Sequence, residues 1–263
     1  MPFSKKTMKG GWNAFLRKVR MSLALAKASI QLKNENTWLG ITWYLVNPIL
    51  TFASLWFIFA DLLSNNISDY GLYLFIGIIH YNLFQQATSR ATNILRTHSR
   101  TMKSLNFPRE ILPASVVLSS MFSHIFQLIL LTAYLLLTNK PMIGLLFYPI
   151  IILPFAAFLY GSCLLLSSIY IFIADIEYIW PFISRILFFV TPVMYATSSD
   201  HLLTTINLFN PLYYFITLAR HLIIDRSLPA SSIMIGTLAT SFLFLIAGSL
   251  IFNYLKPRFT DVM

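Results

Sequence analysis

What most constrains this chain is a series of apolar runs, each near the length that crosses a bilayer. Uncharged or nearly uncharged stretches occupy about 39–61, 71–89, 112–137, 143–173, 179–195 and 232–254. A helix needs about 20 mainly apolar residues to span the hydrocarbon core, and backbone polar groups in that core must be satisfied within the segment itself. Only 11% of the residues are charged, where a soluble domain would carry roughly a quarter. The chain therefore reads as an all-α integral membrane protein, a single transmembrane domain over residues 1–263 with six transmembrane helices.

The distribution of charge sets the orientation. Of 19 basic residues, eight precede the first run, namely Lys5, Lys6, Lys9, Arg17, Lys18, Arg20, Lys27 and Lys33. Five more, Arg90, Arg96, Arg100, Lys103 and Arg109, lie between the second and third runs, and Lys256 and Arg258 close the chain. Basic residues concentrate in cytoplasmic segments, so these regions share the inner side and both termini are expected there. The net charge of +10 is thus a topology signal and does not point to nucleic acid.

Residues 12–33 place Trp12, Phe15, Leu16, Val19, Leu23, Ala26 and Ile30 at three- and four-residue steps, with the basic residues largely off that stripe. A basic amphipathic helix of this kind lies at a membrane surface, or packs on a partner helix, since one pattern serves both. "SLALAKAS" (22–29) is too short and is broken by Lys27, so a cleaved signal peptide is not expected. Residues 201–224 are apolar but split by Asn210-Pro211 into halves too short to cross alone. They read as a re-entrant hairpin before the last span, the alternative being a full crossing. Pro48 falls inside the first run, and Pro149 and Pro154 bend the fourth or set apart a surface-lying start.

Reactive chemistry is not indicated. The chain has no GxxxxGK[ST] phosphate loop, no HExxH, no CxxC and no GxSxG. Its five histidines lack metal-ligand spacing, so neither a metal site nor a catalytic constellation is expected. His124, inside a span, reads as a hydrogen-bonded packing residue, although a functional role is the competing reading. Cys163, the one cysteine, reads as a small core residue.

The feature this leaves unexplained is "NFPREILPAS" (106–115), a stiff, charged elbow between two oily runs. Pro108 and Pro113 each fix their own backbone and restrict the residue before, while Arg109 and Glu110 offer polar contacts to a soluble partner.

Four motifs carry a resemblance. "LGITWYLVNPIL" (39–50), the elbow, "ADIEY" (174–178) with "TPVMY" (191–195), and "NPLYYFITLAR" (210–220) resemble, in order, segments of ABC-2-type permeases that export polysaccharides. The match runs from Leu39 to Arg220 and departs at Ala174, where that family often has Arg. The resemblance implies a permease subunit that is no enzyme itself. It implies a homodimer in the bacterial cytoplasmic membrane, with two copies of an ABC ATP-binding subunit that binds ATP and Mg. It also implies an undecaprenyl-pyrophosphate-linked polysaccharide of O-antigen type as cargo. Phe107, Pro108, Arg109, Glu110 and Pro113, within the cytoplasmic loop 90–113, would couple to the ATPase. A drug or lipid exporter of the same family, or a membrane glycan transferase, are the alternatives. Trp43, Tyr44, Phe52, Phe59, Phe188, Phe189 and Tyr195 are candidates to line a sugar path, and Arg90 and Arg185 to meet the pyrophosphate.

Overall fold

Apolar runs deprived of water satisfy their backbone by coiling, and the computed structural model follows that rule. It describes residues 5–35, 38, 40–63, 67–99, 108–196 and 201–259, with no strand among them. The helices are α1 (Lys5–Glu35), α2 (Trp43–Leu63), α3 (Tyr70–Thr92), the short α4 (Ile94–Thr97), α5 (Ile111–Leu137), α6 (Tyr148–Phe172), α7 (Ile176–Val190), α8 (His201–Leu208), α9 (Pro211–Arg220) and α10 (Ser231–Leu255). Four stretches of the described chain are long and apolar enough to cross a membrane: Gly40–Asp61, Ile111–Leu137, Ile143–Phe172 and Ser231–Arg258.

Local chemistry explains the ends. After α5, Asn139 takes the left-handed conformation at φ 53, which Asn tolerates better than most residues. The Lys140 amide then bonds to the Leu135 carbonyl at 2.8 Å and the Asn139 amide to Leu136 at 3.1 Å, a Schellman closure of the helix. Asn210 caps α9, its side chain accepting from the Leu212 amide at 3.1 Å, with Pro211 in the first turn. Pro149 opens α6 after a 3₁₀ turn over Ile143–Phe147. Of the two prolines, then, Pro149 marks a helix start and Pro154 lies inside the helix.

α3 is the central element, with 17 of its 23 residues buried and α2, α5, α6, α7 and α9 packed around it. α3, over the expected second span at 71–89, is not among those four stretches. His80, Gln85, Gln86 and Thr88 lower its hydropathy; His80 and Thr88 are buried, Gln85 and Gln86 half-buried. Thr88, for example, donates to the Phe84 carbonyl at 2.8 Å.

The most extensive helix pair is α6 with α10. They cross where Gly161 meets Gly248: a Cβ on Gly248 would stand 2.3 Å from the Gly161 carbonyl oxygen. Lipid tails are as apolar as leucine, so helices in a bilayer associate through close packing, and small residues at the crossing permit it. α2 and α7 are packed far less. Of α7 only Ser184 is buried, and Phe57, Phe182 and Phe189 project outward at 89%, 63% and 58% exposure.

Candidate functional site

Two polar assemblies stand at opposite ends of the bundle, and between them they account for most of the motifs singled out in the sequence.

At one end is the elbow. Pro108 leads into a turn formed by Arg109 and Glu110, and Pro113 sits buried in the first turn of α5, where a missing amide hydrogen costs nothing. Phe107 lies outside the described residues. Glu110 receives the Lys18 ammonium of α1 at 2.8 Å and the Lys256 ammonium, just past α10, at 3.0 Å. Arg109 donates to the Lys256 carbonyl at 2.5 Å and lies 5.8 Å from the centre of the Phe259 ring. The elbow is thereby clasped to both an early and a late part of the chain. Burial alone would raise the Glu110 carboxyl, but hydrogen bonds from Lys18 and Lys256 outweigh it and bring it down to about 2. Nearby, Arg90 at the end of α3 donates to the Ser29 hydroxyl of α1 at 3.0 Å. The "ADIEY" corner belongs to this end too: Glu177 accepts from Asn93 at 2.8 Å and from Tyr170 at 2.7 Å. Arg185 is exposed on α7, at its tenth residue.

At the opposite end, Arg220 is the hub. It is only 6% exposed. Its guanidinium donates to the carbonyls of Tyr73 (3.1 and 3.3 Å), Pro192 (2.6 Å) and Val193 (2.8 Å), and its central carbon lies 3.3 Å from the centre of the Tyr73 ring. Gly77 makes room, since a Cβ there would meet the Arg220 Nη2 at 2.8 Å. Asn210 donates to the Thr191 hydroxyl at 2.8 Å, and Tyr73 donates to the Tyr195 carbonyl at 2.8 Å. The "TPVMY" and "NPLYYFITLAR" motifs are therefore two halves of one contact. Arg220 fastens the end of α9 to the residues after α7 and the start of α3. Sequence reasoning placed Arg220 in a motif but gave it no task. The available signal was an arginine among apolar residues, which demands partners.

The candidate path aromatics divide into two groups. Phe52 meets Phe75 at 5.3 Å and Tyr134 at 6.0 Å, Tyr44 stacks on Phe126 at 5.6 Å, Phe188 meets Tyr81 at 4.9 Å, and Phe59 packs on the main apolar cluster. These four rings are engaged within the chain, as is Tyr195 through its backbone and hydroxyl. Trp43 and Phe189 keep 46% and 58% of their surface open.

A third polar group lies in the middle of the bundle. His124 bonds to the Gln127 carboxamide at 2.7 Å and to the Tyr148 hydroxyl, and Tyr148 is 3.4 Å from the Nε2 of His80. The His80 Nδ1 faces the Ile76 carbonyl at 2.8 Å. This chain of contacts ties α3, α5 and α6 together and holds two histidines in an otherwise apolar interior, where an unmade hydrogen bond is costly.

Residues 22–224 match the family described as ABC-2 type transporter. Similar curated proteins include the O-antigen export system permease protein RfbA of Klebsiella pneumoniae, 25% identical over 244 residues, covering 92% of this chain and 94% of that protein. The RfbA permease of Myxococcus xanthus is 21% identical over 243 residues, covering 91% and 94%. The family match takes in α2 to α9, and with them the elbow, the Arg220 hub and the histidine chain. The protein belongs to the ABC-2 type transporters and is a multi-pass membrane permease.

Proposed function

We propose that this chain is the permease subunit of an exporter that moves a polysaccharide, carried on undecaprenyl pyrophosphate, across the bacterial cytoplasmic membrane to its outer face. The observation that carries this reading is the similarity, over nine-tenths of the chain, to permeases named for O-antigen export. The permease acts as a homodimer with two copies of a separate ABC subunit, which binds ATP and Mg and supplies the work.

Six crossings are assigned to α2, α3, α5, α6, α7 and α10, with α8 and α9 as a hairpin that enters and returns on the outer side. At 1.5 Å per residue α3 is about 35 Å long, enough for the core. α7 is about 22 Å by the same measure and relies on the residues after Val190 to complete its passage. Both termini are placed inside, which is supported by Lys18 and Lys256 meeting on the one residue Glu110.

The elbow, Phe107 to Pro113, is the coupling segment. Two prolines make it rigid, so a push from the ATPase is transmitted rather than absorbed. Its ion pairs pass that push to α1 and to the end of α10. The sparsely packed α2 and α7 face the second copy and bound the path. Trp43 and Phe189 offer open rings to the C–H faces of a passing sugar, whereas Tyr44, Phe52, Phe59 and Phe188 brace the wall behind. Arg90 stands at the inner end as a cation for the pyrophosphate, with Arg185 further along.

The test is reconstitution in lipid vesicles with the partner ATPase. Lipid-linked polysaccharide is expected to raise ATP turnover several-fold, and free nucleotide-driven export should follow. Unchanged turnover in the presence of the lipid-linked chain, or export that continues without the ATPase, would overturn the reading.

A further inference from the structure

A cavity of about 420 Å³ lies beside Arg220, at the end of the bundle opposite the elbow. That is within the ~300–1,000 Å³ typical of small-molecule sites. Its walls come from three separate segments: Ser68 and Tyr73 around the start of α3, the residues after α7, and α9 with the turn that follows.

Two features distinguish it from a gap between helices. The first is Arg220 itself. Its four carbonyl bonds occupy four of the five N–H donors of a guanidinium, and the Tyr73 ring covers one face. A charge held this way cannot swing, so the cavity has a rigid wall with one donor remaining. The second is the backbone. α9 does not end in an ordinary cap. His221–Asp225 form one π-helical turn that closes at Arg226 with φ 54. π-helical turns are rare and occur frequently at functional sites. This one carries the His221–Asp225 pair, at 2.8 Å, on the cavity's border.

We propose that this cavity is a saccharide subsite, which holds one sugar ring of the exported chain where it leaves the membrane. The proposal rests on the export reading above and adds to it where the chain is gripped. A sugar ring presents hydroxyls at its edge, each needing a donor or an acceptor, and C–H groups on its faces. The cavity supplies both requirements. Tyr213 offers an aromatic face, fixed by its edge-on contact with Tyr214 at 5.3 Å. Arg220 donates, Asp225 accepts, and Ser68 and Thr217 do either. A lipid tail would leave these polar groups unpaired, which disfavours it. Contact with a hydroxyl-rich chain at this end opposes its sliding back while the inner end resets.

The experiment uses the reconstituted complex with Thr217→Cys, the wild type serving as control because Cys163 is fully buried. A charged, membrane-impermeant thiol reagent is applied from outside. The probe is the polysaccharide released by mild acid from the cells' own lipid-linked pool, with dextran for comparison. The cognate chain is expected to slow labelling at least three-fold and saturably, and dextran is not. Asp225→Asn, an exposed change that does not threaten folding, and Tyr213→Ala should each weaken that protection. If labelling is indifferent to the cognate chain while lipid-linked polysaccharide still stimulates ATP turnover, the subsite is wrong and the exporter reading stands. Equal protection by dextran, or no labelling from outside, also overturns the subsite. Loss of stimulation by the lipid-linked chain in the wild type would instead remove the export reading itself.

Discussion

Replacing Glu110 with Gln keeps the shape of the side chain and removes the charge that Lys18 and Lys256 share. In the folded protein the carboxyl is brought down to about 2 from an ordinary value of 4.5. At ~1.4 kcal/mol per pH unit, that gap corresponds to ~3 kcal/mol. The lysine side chains are 45% and 36% exposed, and exposed pairs measure only ~0–1 kcal/mol each, so ~1–2 kcal/mol is the expected net loss. At ~2–4 °C per kcal/mol for a chain of this size, the variant should melt about 2–8 °C below wild type at pH 7. The pH dependence gives a sharper test. Because the folded value is depressed, the stabilisation is complete above about 4.5 and disappears as pH falls toward 2. The gap between wild type and Glu110→Gln should therefore be full at pH 6–7, shrink below pH 4.5 and go on closing as pH falls through about 2. Melting followed by intrinsic fluorescence in detergent, stepped through pH, reads this directly. Raising salt should narrow the gap at pH 7. Equal melting at pH 7, or a gap that persists undiminished at pH 2.5, would refute the ion-pair account.

Arg220→Lys should cost ~2–4 kcal/mol, because an ammonium cannot reach three carbonyl groups on two segments at once; thermal melting checks it, and Arg220→Gln should be no better. Gly248→Leu drives a side chain into the Gly161 backbone, so the variant should fail to give a monodisperse peak on size exclusion, whereas Ser249→Ala on the neighbouring position should not. His124→Phe removes both hydrogen bonds, strands Gln127 and leaves Tyr148 with His80 alone, a loss of ~1–3 kcal/mol visible in the same melts. Trp43→Ala and Phe189→Ala should shorten or slow the exported chain with little change in melting, while Phe52→Ala, packed against Phe75 and Tyr134, should mainly lower stability.

A good part of this architecture is legible in the residues alone. Span lengths follow from runs of apolar residues. The turn at Thr138–Lys140 follows from Asn and Pro, and the break between α8 and α9 from Asn210-Pro211. Even the crowding of basic residues before Trp38 and around the elbow needs no coordinates to notice. What the residues do not reveal is which face of each helix meets protein. Hydrocarbon tails are as apolar as leucine, so an outward-facing Phe57 and a buried Phe155 look alike along the chain. The central place of α3, whose polar residues lower its hydropathy, and the division of the aromatics into braced and open rings were settled only by packing. The same holds for Glu110 and Arg220. Each is a charge whose partners lie far along the chain, 92 and 146 residues away in one case and up to 147 in the other. Local periodicity carries no information over such separations; only the folded bundle, by closing those distances and excluding water, decides which polar atoms must meet.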